Sequence, residues 1–390
     1  MEQRNGDGDG GTPSLMLKIV WPREAPIPCV TIPLVRSAIV VDGSASQLVS
    51  FVEFRGLGVS NLDYAAPGFQ SGFSASTEAA GFPSDAAVLL RGAADVLFSH
   101  CTFHDLGGGG IHATAGSRRL RFTDNRFERI GQSAILLSGA RRARPTSVLI
   151  EGNMIDHPGL LLRSGGGVLC SSCADTRILR NVIVGSARWG IHIRSGPSPV
   201  VGMPGEASLV APGDESDALG IVIEQNDIHS AGSRTRDLGG ISLIAYPGAV
   251  PMNATIRYNC IKNVGIDAGY GESDPDYATF NLPSSQGYGI YLDNFVSGCL
   301  VEGNVVAGKT ERPLYIHWGG HNRIEANMFF VGTSVRLMSR VIVVRTALLL
   351  KLTVACYNTG SLFCRTAESN GNNFPWESNP TQHVYISPRV

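Results

Sequence analysis

Charge is scarce in this sequence. Asp, Glu, Lys and Arg make up 17% of 390 residues, and their signs cancel to a net −1, against about a quarter charged in an ordinary globular chain. A chain so balanced carries no electrostatic footprint for nucleic acid or for an anionic membrane surface. The arginines that cluster, in SRRLRFTDNRFER and GARRARP, alternate with apolar residues and read as solvated turns. Helical periodicity is almost missing between residues 45 and 332, which argues against helical layers. Long apolar runs are also missing. VIVVRTALLLKLTVAC carries Arg345 and Lys351 within its sixteen residues, too short and too charged for a spanning helix. The opening MEQRNGDGDGG has no basic stretch leading into an apolar one, so no secretory leader is expected. Of eight cysteines only Cys170 and Cys173 form a CxxC, with no second pair or finger-spaced His, so no metal knuckle and no cofactor is expected. Cys170 is expected as a buried thiol.

Glycine is abundant, at 47 of 390 residues, roughly 12% where about 7% is usual, and it punctuates a repeat. The phrase recurs as LRFTDNRF, VLIEGNMI, RILRNVIV, IVIEQNDI, TIRYNCI, LVEGNVV and RIEANMF, with its Asn at 125, 153, 181, 226, 259, 304 and 327. VEFRGLGV and VLFSHCTF keep the apolar frame with Leu57 and Cys101 in the Asn slot. Each unit runs from Gly through an apolar–x–apolar strand and a small-residue turn to a second short strand, the Asn, and a third. Period-two alternation bounded by Gly, Ser and Asn is a strand signal. Three strands per unit, stacked unit on unit, predict an all-β, right-handed single-stranded parallel β-helix. The Asn is expected to hold the left-handed backbone of a turn and to stack its amide on the next coil's amide as a ladder. The expected organisation is an N-terminal segment over 1–44, irregular or a partial first coil, one solenoid over 45–332, and a divergent cap or non-native tail over 333–390.

The tandem coils beginning GIHATAGSRRLRFTDNRFERIGQSAILLSG resemble the parallel β-helix repeat of the pectin-lyase-like superfamily. LVSFVEFRGLGVSN, GIYLDNFVSG and IHWGGHNRIEANMFF further resemble β-helix proteins related to glycoside hydrolases. The resemblance spans about residues 33–332 and implies the fold. It only points toward carbohydrate chemistry, because one scaffold hosts lyases, hydrolases, epimerases, tailspikes and inert stalks. The polygalacturonase set of paired Asp, Gly-His-Gly and Arg-x-Lys is absent, as is the pectate-lyase motif. DPDY at 274–277 is only a partial echo of the alginate-epimerase DPHE.

Aligning the Gly-led strands at 87–90, 111–114, 135–138, 168–171, 191–194, 241–244, 290–293 and 314–317 puts their first and third residues inside. Their second and fourth residues line the outer face. One outer column then reads Val88, His112, Leu136, Leu169, His192, Ser242, Tyr291, Tyr315. The other reads Leu90, Thr114, Ser138, Ser171, Arg194, Ile244, Asp293, His317. Asp293 and His317 become neighbours in successive coils, while His112, about seven coils away, is too far to share their chemistry. Insertions at 60–84, 196–218 and 265–287, with a smaller one at 231–239, are expected to wall a groove over this face. The groove suits a polysaccharide or oligosaccharide, since aromatic rings stack on sugars and carboxylates and Arg bond their hydroxyls or uronates. Asp293 is the candidate acid, base or nucleophile, tuned by His317, with Glu272, Asp274 or Asp276 as its partner carboxylate. Tyr291, Tyr315, Trp318, His192 and Arg194 are candidate substrate contacts. Glycoside hydrolysis is the leading activity, with a lyase ranked below it. A non-catalytic glycan-binding or structural β-helix is the alternative, and a monomer is expected.

Overall fold

A computed structural model describes residues 33–330 except 45, 64–85, 115, 140–142, 163, 196–217, 236, 247–248 and 266–286. It also describes the backbone of short strands in the two terminal segments. Residues 1–32 form a unit of their own, in which Glu2–Gln3 and Leu15–Met16 pair antiparallel. In the second unit the predicted unit order is realised as three parallel sheets of 11, 9 and 11 strands. Each coil adds one short strand to each sheet, so the chain is a right-handed parallel β-helix. One ladder begins where Ile39–Asp42 pairs with Ala86–Arg91. Beyond residue 332, Val335–Met338 and Ile342–Arg345 extend two of the sheets in parallel.

The first sheet consists of the Gly-led strands, among them Gly109–Thr114, Ile135–Ser138, Val168–Ser171, Ile191–Ser195, Leu238–Ala245, Gly287–Asn294 and Arg312–His317. Its inward residues, such as Ile135, Val168, Ile191, Ile241 and Ile290, are fully buried. The interior is stacked as well as alternated. Phe103 and Phe127 from successive coils lie with ring centroids 4.9 Å apart and planes 10° apart. The leading glycines are required by coil spacing: a Cβ on Gly190 would sit 2.5 Å from the Gly240 carbonyl oxygen of the next coil.

The predicted Asn column is a continuous ladder. Each side-chain oxygen accepts from the backbone N–H and side-chain amide of the Asn one coil earlier, through Asn125, Asn153, Asn181, Asn226, Asn259, Asn304 and Asn327, all at 2.9–3.0 Å. Cys101 fills its predicted slot, its N–H donating to Asn125 Oδ1 at 3.0 Å. One detail of the expectation is corrected. The left-handed backbone belongs to the residue before each Asn, namely Asp124, Gly152, Arg180, Gln225, Tyr258, Gly303 and Ala326. The bend one residue earlier turns the Asn itself inward, where its amide stacks instead of closing its own turn.

Two further expectations change. Cys170 and Cys173 are joined as a disulfide instead of leaving a free thiol at 170. The strand at 86–91 is shifted by one residue, since Val88 pairs with Ile111, Leu89 with His112 and Arg91 with Thr114. Leu89 and Arg91, not Val88 and Leu90, therefore begin the outer columns. Val88 and Leu90 are fully buried and Arg91 is exposed. The apolar run AAVLL fits either frame, and the frame is set by Ala87 occupying the place that Gly110 holds in the next coil.

Candidate functional site

The remaining registers on the first sheet are as predicted. His192 pairs with Ser242 and Ser242 with Tyr291, then Tyr291 with Tyr315; Arg194 pairs with Ile244 and Ile244 with Asp293. His112 stands five coils from Tyr291 along this sheet, not seven, as the strand order shows. At ~4.8 Å per coil that is still about 24 Å. His112 belongs to a separate pair, with Nε2 2.6 Å from Ser138 Oγ, and burial holds its pKa down at about 4.

Asp293 and His317 are brought together as expected. His317 Nδ1–H donates to Asp293 Oδ1 at 2.8 Å, and the Asn294 amide donates to the same oxygen at 2.8 Å. The side chain of His317 is 31% exposed and that of Asp293 13%, so the pair sits at the water-facing side of the cluster. Tyr291 and Tyr315 join Tyr288 in an aromatic cluster separate from the main core, with centroids 4.7–5.1 Å apart. These tyrosines are only 4–8% exposed and cover one another's faces. The open aromatic surface is next to them: Trp318 and Phe295, 46% and 45% exposed, with centroids 6.5 Å apart. Trp318 takes a left-handed backbone (φ 70°) that aims the chain away from the strand directly after His317.

Sequence reasoning missed a second carboxylate. Asp237 lies in the small 231–239 insertion, at a left-handed position (φ 52°) directly before strand Leu238–Ala245. The charges of Asp237 and Asp293 both act on the Tyr291 phenol. Burial pushes the pKa of Asp237 up, the Arg188 guanidinium opposes that rise, and the charge of Asp293 adds to it. Arg188 Nη2 donates to the Asp237 carbonyl at 3.2 Å and is 3.9 Å from its carboxylate. Burial likewise drives the Tyr291 phenol far up, with the two Asp charges adding to the effect. The only sequence signal for Asp237 was its place in an insertion that enters a Gly-led strand. Glu272, Asp274 and Asp276, the expected partners of Asp293, lie outside the described residues, as does most of the long insertions.

His192 and Arg194 form the inner end of the site. The imidazole of His192 stacks on Trp189, centroids 4.0 Å apart, and Arg188 lies over the same indole at 4.1 Å. Burial, with Arg188 and Arg194 nearby, pushes the His192 pKa well down, so the ring is neutral. Arg194 is 3% exposed and lies over the Tyr246 ring at 4.8 Å. Among the described residues, none of its Nε, Nη1 and Nη2 atoms has a hydrogen-bond partner. A concavity over the sheet that contains Ala93–Ser99, Arg121–Thr123 and Thr146–Glu151 is lined in part by Asp95 and Arg119. There Arg119 forks onto Asp95 at 2.6 and 2.7 Å. Among the described residues no cluster of three or more His, Cys, Asp or Glu could hold a metal ion, and no helix is long and apolar enough to cross a membrane.

Comparison with known proteins agrees with this architecture. Residues 37–202 match the family model described as right handed beta helix region. No curated protein sequence matches. A solved structure titled glycoside hydrolase superimposes with a TM-score of 0.54 at 16% identity, covering 73% of this chain and 49% of its own. This chain thus spans about half the length of that enzyme. The surface adhesin PfbA of Streptococcus pneumoniae (TM-score 0.45, 12% identity, 84% of this chain and 74% of its own) is also similar. So is DFA-IIIase of Arthrobacter chlorophenolicus A6 (TM-score 0.47, 12% identity, 82% and 74%). Sheets, ladder and the match over residues 37–202 together make this chain a right-handed parallel β-helix protein.

Proposed function

We propose that this protein is a polysaccharide-active β-helix enzyme of glycoside hydrolase type, working on the outer face of the first sheet with Asp293 and Asp237 as its two carboxylates. The observation that carries the reading is that Asp237 and Asp293, two carboxyls of unlike surroundings, both act electrostatically on the Tyr291 phenol. Glycoside hydrolysis uses one carboxyl that keeps its proton for the leaving oxygen and another that acts as base or nucleophile. Asp237, raised by burial and by the neighbouring Asp charge, suits the proton donor. Asp293, fixed by the Asn294 amide and by His317, suits the base or nucleophile. Trp318 and Phe295 offer the exposed rings on which a sugar stacks beside that pair. The glycoside hydrolase title of the similar structure is in keeping with this reading.

The test is a screen of purified protein on plant and algal polysaccharides, wild type beside Asp293→Asn and Asp237→Asn. Released reducing ends that vanish in both variants support the reading. Activity unchanged in Asp293→Asn refutes the site. Glycan binding without turnover on any substrate selects the non-catalytic alternative.

A further inference from the structure

A guanidinium without acceptors is an unusual thing to bury. Taking a cation out of water costs several kcal/mol unless it is paired and hydrogen-bonded. Arg194 is 3% exposed, and its three nitrogens lack hydrogen-bond partners among the described residues. Burial lowers the Arg194 pKa, and the Tyr246 phenol opposes that shift. The contrast within the molecule is direct, since Arg119 and Arg129 on exposed surfaces each fork onto an Asp. His192, in the same strand, also leaves its buried Nδ1 without a partner among the described residues. Arg188 and Arg194 both act on the neutral ring of His192.

Position gives these groups a use. Arg194 shares the outer column of Asp293, two coils away through Ile244, which at ~4.8 Å per coil is about 10 Å. That is the distance of a neighbouring sugar, not of the bond being cut. Arg presents a planar fork that matches carboxylate and sulfate oxygens two at a time. The guanidinium carbon lies 4.8 Å from the Tyr246 ring centroid, within cation–π range.

We propose that Arg194 binds an anionic substituent, a carboxylate or sulfate ester, on the glycan next to the Asp293–Asp237 pair, so that the substrate class is an acidic polysaccharide. His192 Nδ1 supplies a second polar contact to that residue. This subsite rests on the glycan-active reading given above, but it can fail alone.

The experiment measures binding by titration calorimetry with matched oligosaccharides: an oligogalacturonide and its carboxyl-reduced form, and a sulfated galactan oligosaccharide and its desulfated form. Wild type, Arg194→Met and Arg194→Lys are compared. The expected result is that at least one acidic ligand binds about 10- to 100-fold tighter than its neutral counterpart, as charge-assisted hydrogen bonds warrant. Arg194→Met loses that preference and Arg194→Lys keeps part of it. The carboxylate and sulfate arms show which anion is read. Neutral and acidic ligands binding equally to wild type, or a preference intact in Arg194→Met, overturns the subsite and leaves the glycan reading standing. Binding of none of the four ligands overturns both. The fold of each variant is checked by its melting transition, and a Met variant that melts with wild type keeps the comparison interpretable.

Discussion

Two sets of buried polar groups lie within the same solenoid. In the ladder, seven Asn side chains are 0–1% exposed, and each amide is bonded to its own coil stack and to backbone carbonyls, as Asn226 is to Asn259, Ile178 and Glu224. On the outer face of the first sheet, Arg194 and His192 are nearly as buried, at 3% and 8%, yet among the described residues keep nitrogens without partners. A polar group that serves the fold finds its partners inside the repeat, because each coil supplies the same group one step on. A polar group that serves a ligand is left open by the fold. The ladder should therefore govern stability and the groove activity, with little crossing between them.

The largest expected effect is on turnover. Asp293→Asn and Asp237→Asn should each lower kcat by about 10²- to 10⁴-fold, the usual worth of a positioned acid or base, with melting temperatures close to wild type. Because burial raises the Asp237 pKa, its protonated form persists to higher pH than an ordinary carboxyl, and activity should fall as pH rises through that raised value. A pH–rate profile of wild type with no alkaline limb would count against Asp237 as the proton donor.

Next comes a group that sits on the outer face yet has found a partner. His112 faces Ser138 at 2.6 Å, and burial holds its pKa at about 4, against 6.5 in the open chain. Above pH 6.5 both folded and unfolded forms are neutral and the stability is fully present. Between 6.5 and 4 the unfolded chain takes up a proton that the folded one refuses, so stability is lost as pH falls. The loss is about 3 kcal/mol in all, from 1.36 kcal/mol per pKa unit. Denaturant midpoints of wild type and His112→Gln from pH 7.5 to 4 check this, and the variant should show the flatter profile. Equal slopes would mean that His112 is protonated in the native state.

Within the ladder, Asn226→Ala removes the acceptor of the Asn181 amide and backbone N–H and the donor to the Ile178 carbonyl. Orphaned buried groups cost about 1–3 kcal/mol. Urea midpoints should shift by that amount, with kcat per folded molecule unchanged. A shift equal to that of an exposed Ser→Ala control would remove the ladder from the account of stability.

The same contrast explains what could be read from the sequence. The ladder, the three-strand coil and the meeting of Asp293 with His317 all follow from a period that repeats seven times, so each copy corrected the others. Where the period gave no correction, the reading slipped. AAVLL allowed two frames at 86–91, and only the Ala87–Gly110 correspondence selects one. The bend was assigned to the ladder Asn when it belongs to the residue before it, because side chains as different as Asp124, Arg180, Tyr258 and Ala326 take that left-handed backbone. Asp237 and Arg188 stand where the chain enters a strand, outside any alternation, and only three-dimensional proximity to Tyr291 gives them meaning. Insertions carry function because they escape the repeat, and for that reason the repeat does not announce them.

The smallest expected effect is also the sharpest test of the contrast. Arg194→Met replaces a buried, unbonded cation with an apolar side chain of similar length, above Tyr246 and beside Ile244. If Arg194 served the fold, the change would cost stability as Asn226→Ala does. Removal of a buried charge that no fixed partner compensates should instead leave stability unchanged or raise it, since apolar replacement of buried charged groups is often neutral or favourable. Urea midpoints of the two variants, measured side by side without glycan, decide it. Arg194→Met at or above wild type beside a clear loss in Asn226→Ala keeps the division between ladder and groove. A loss in Arg194→Met as large as in Asn226→Ala would mean that the guanidinium is structural, and the division between the two sets of buried groups would fall with it.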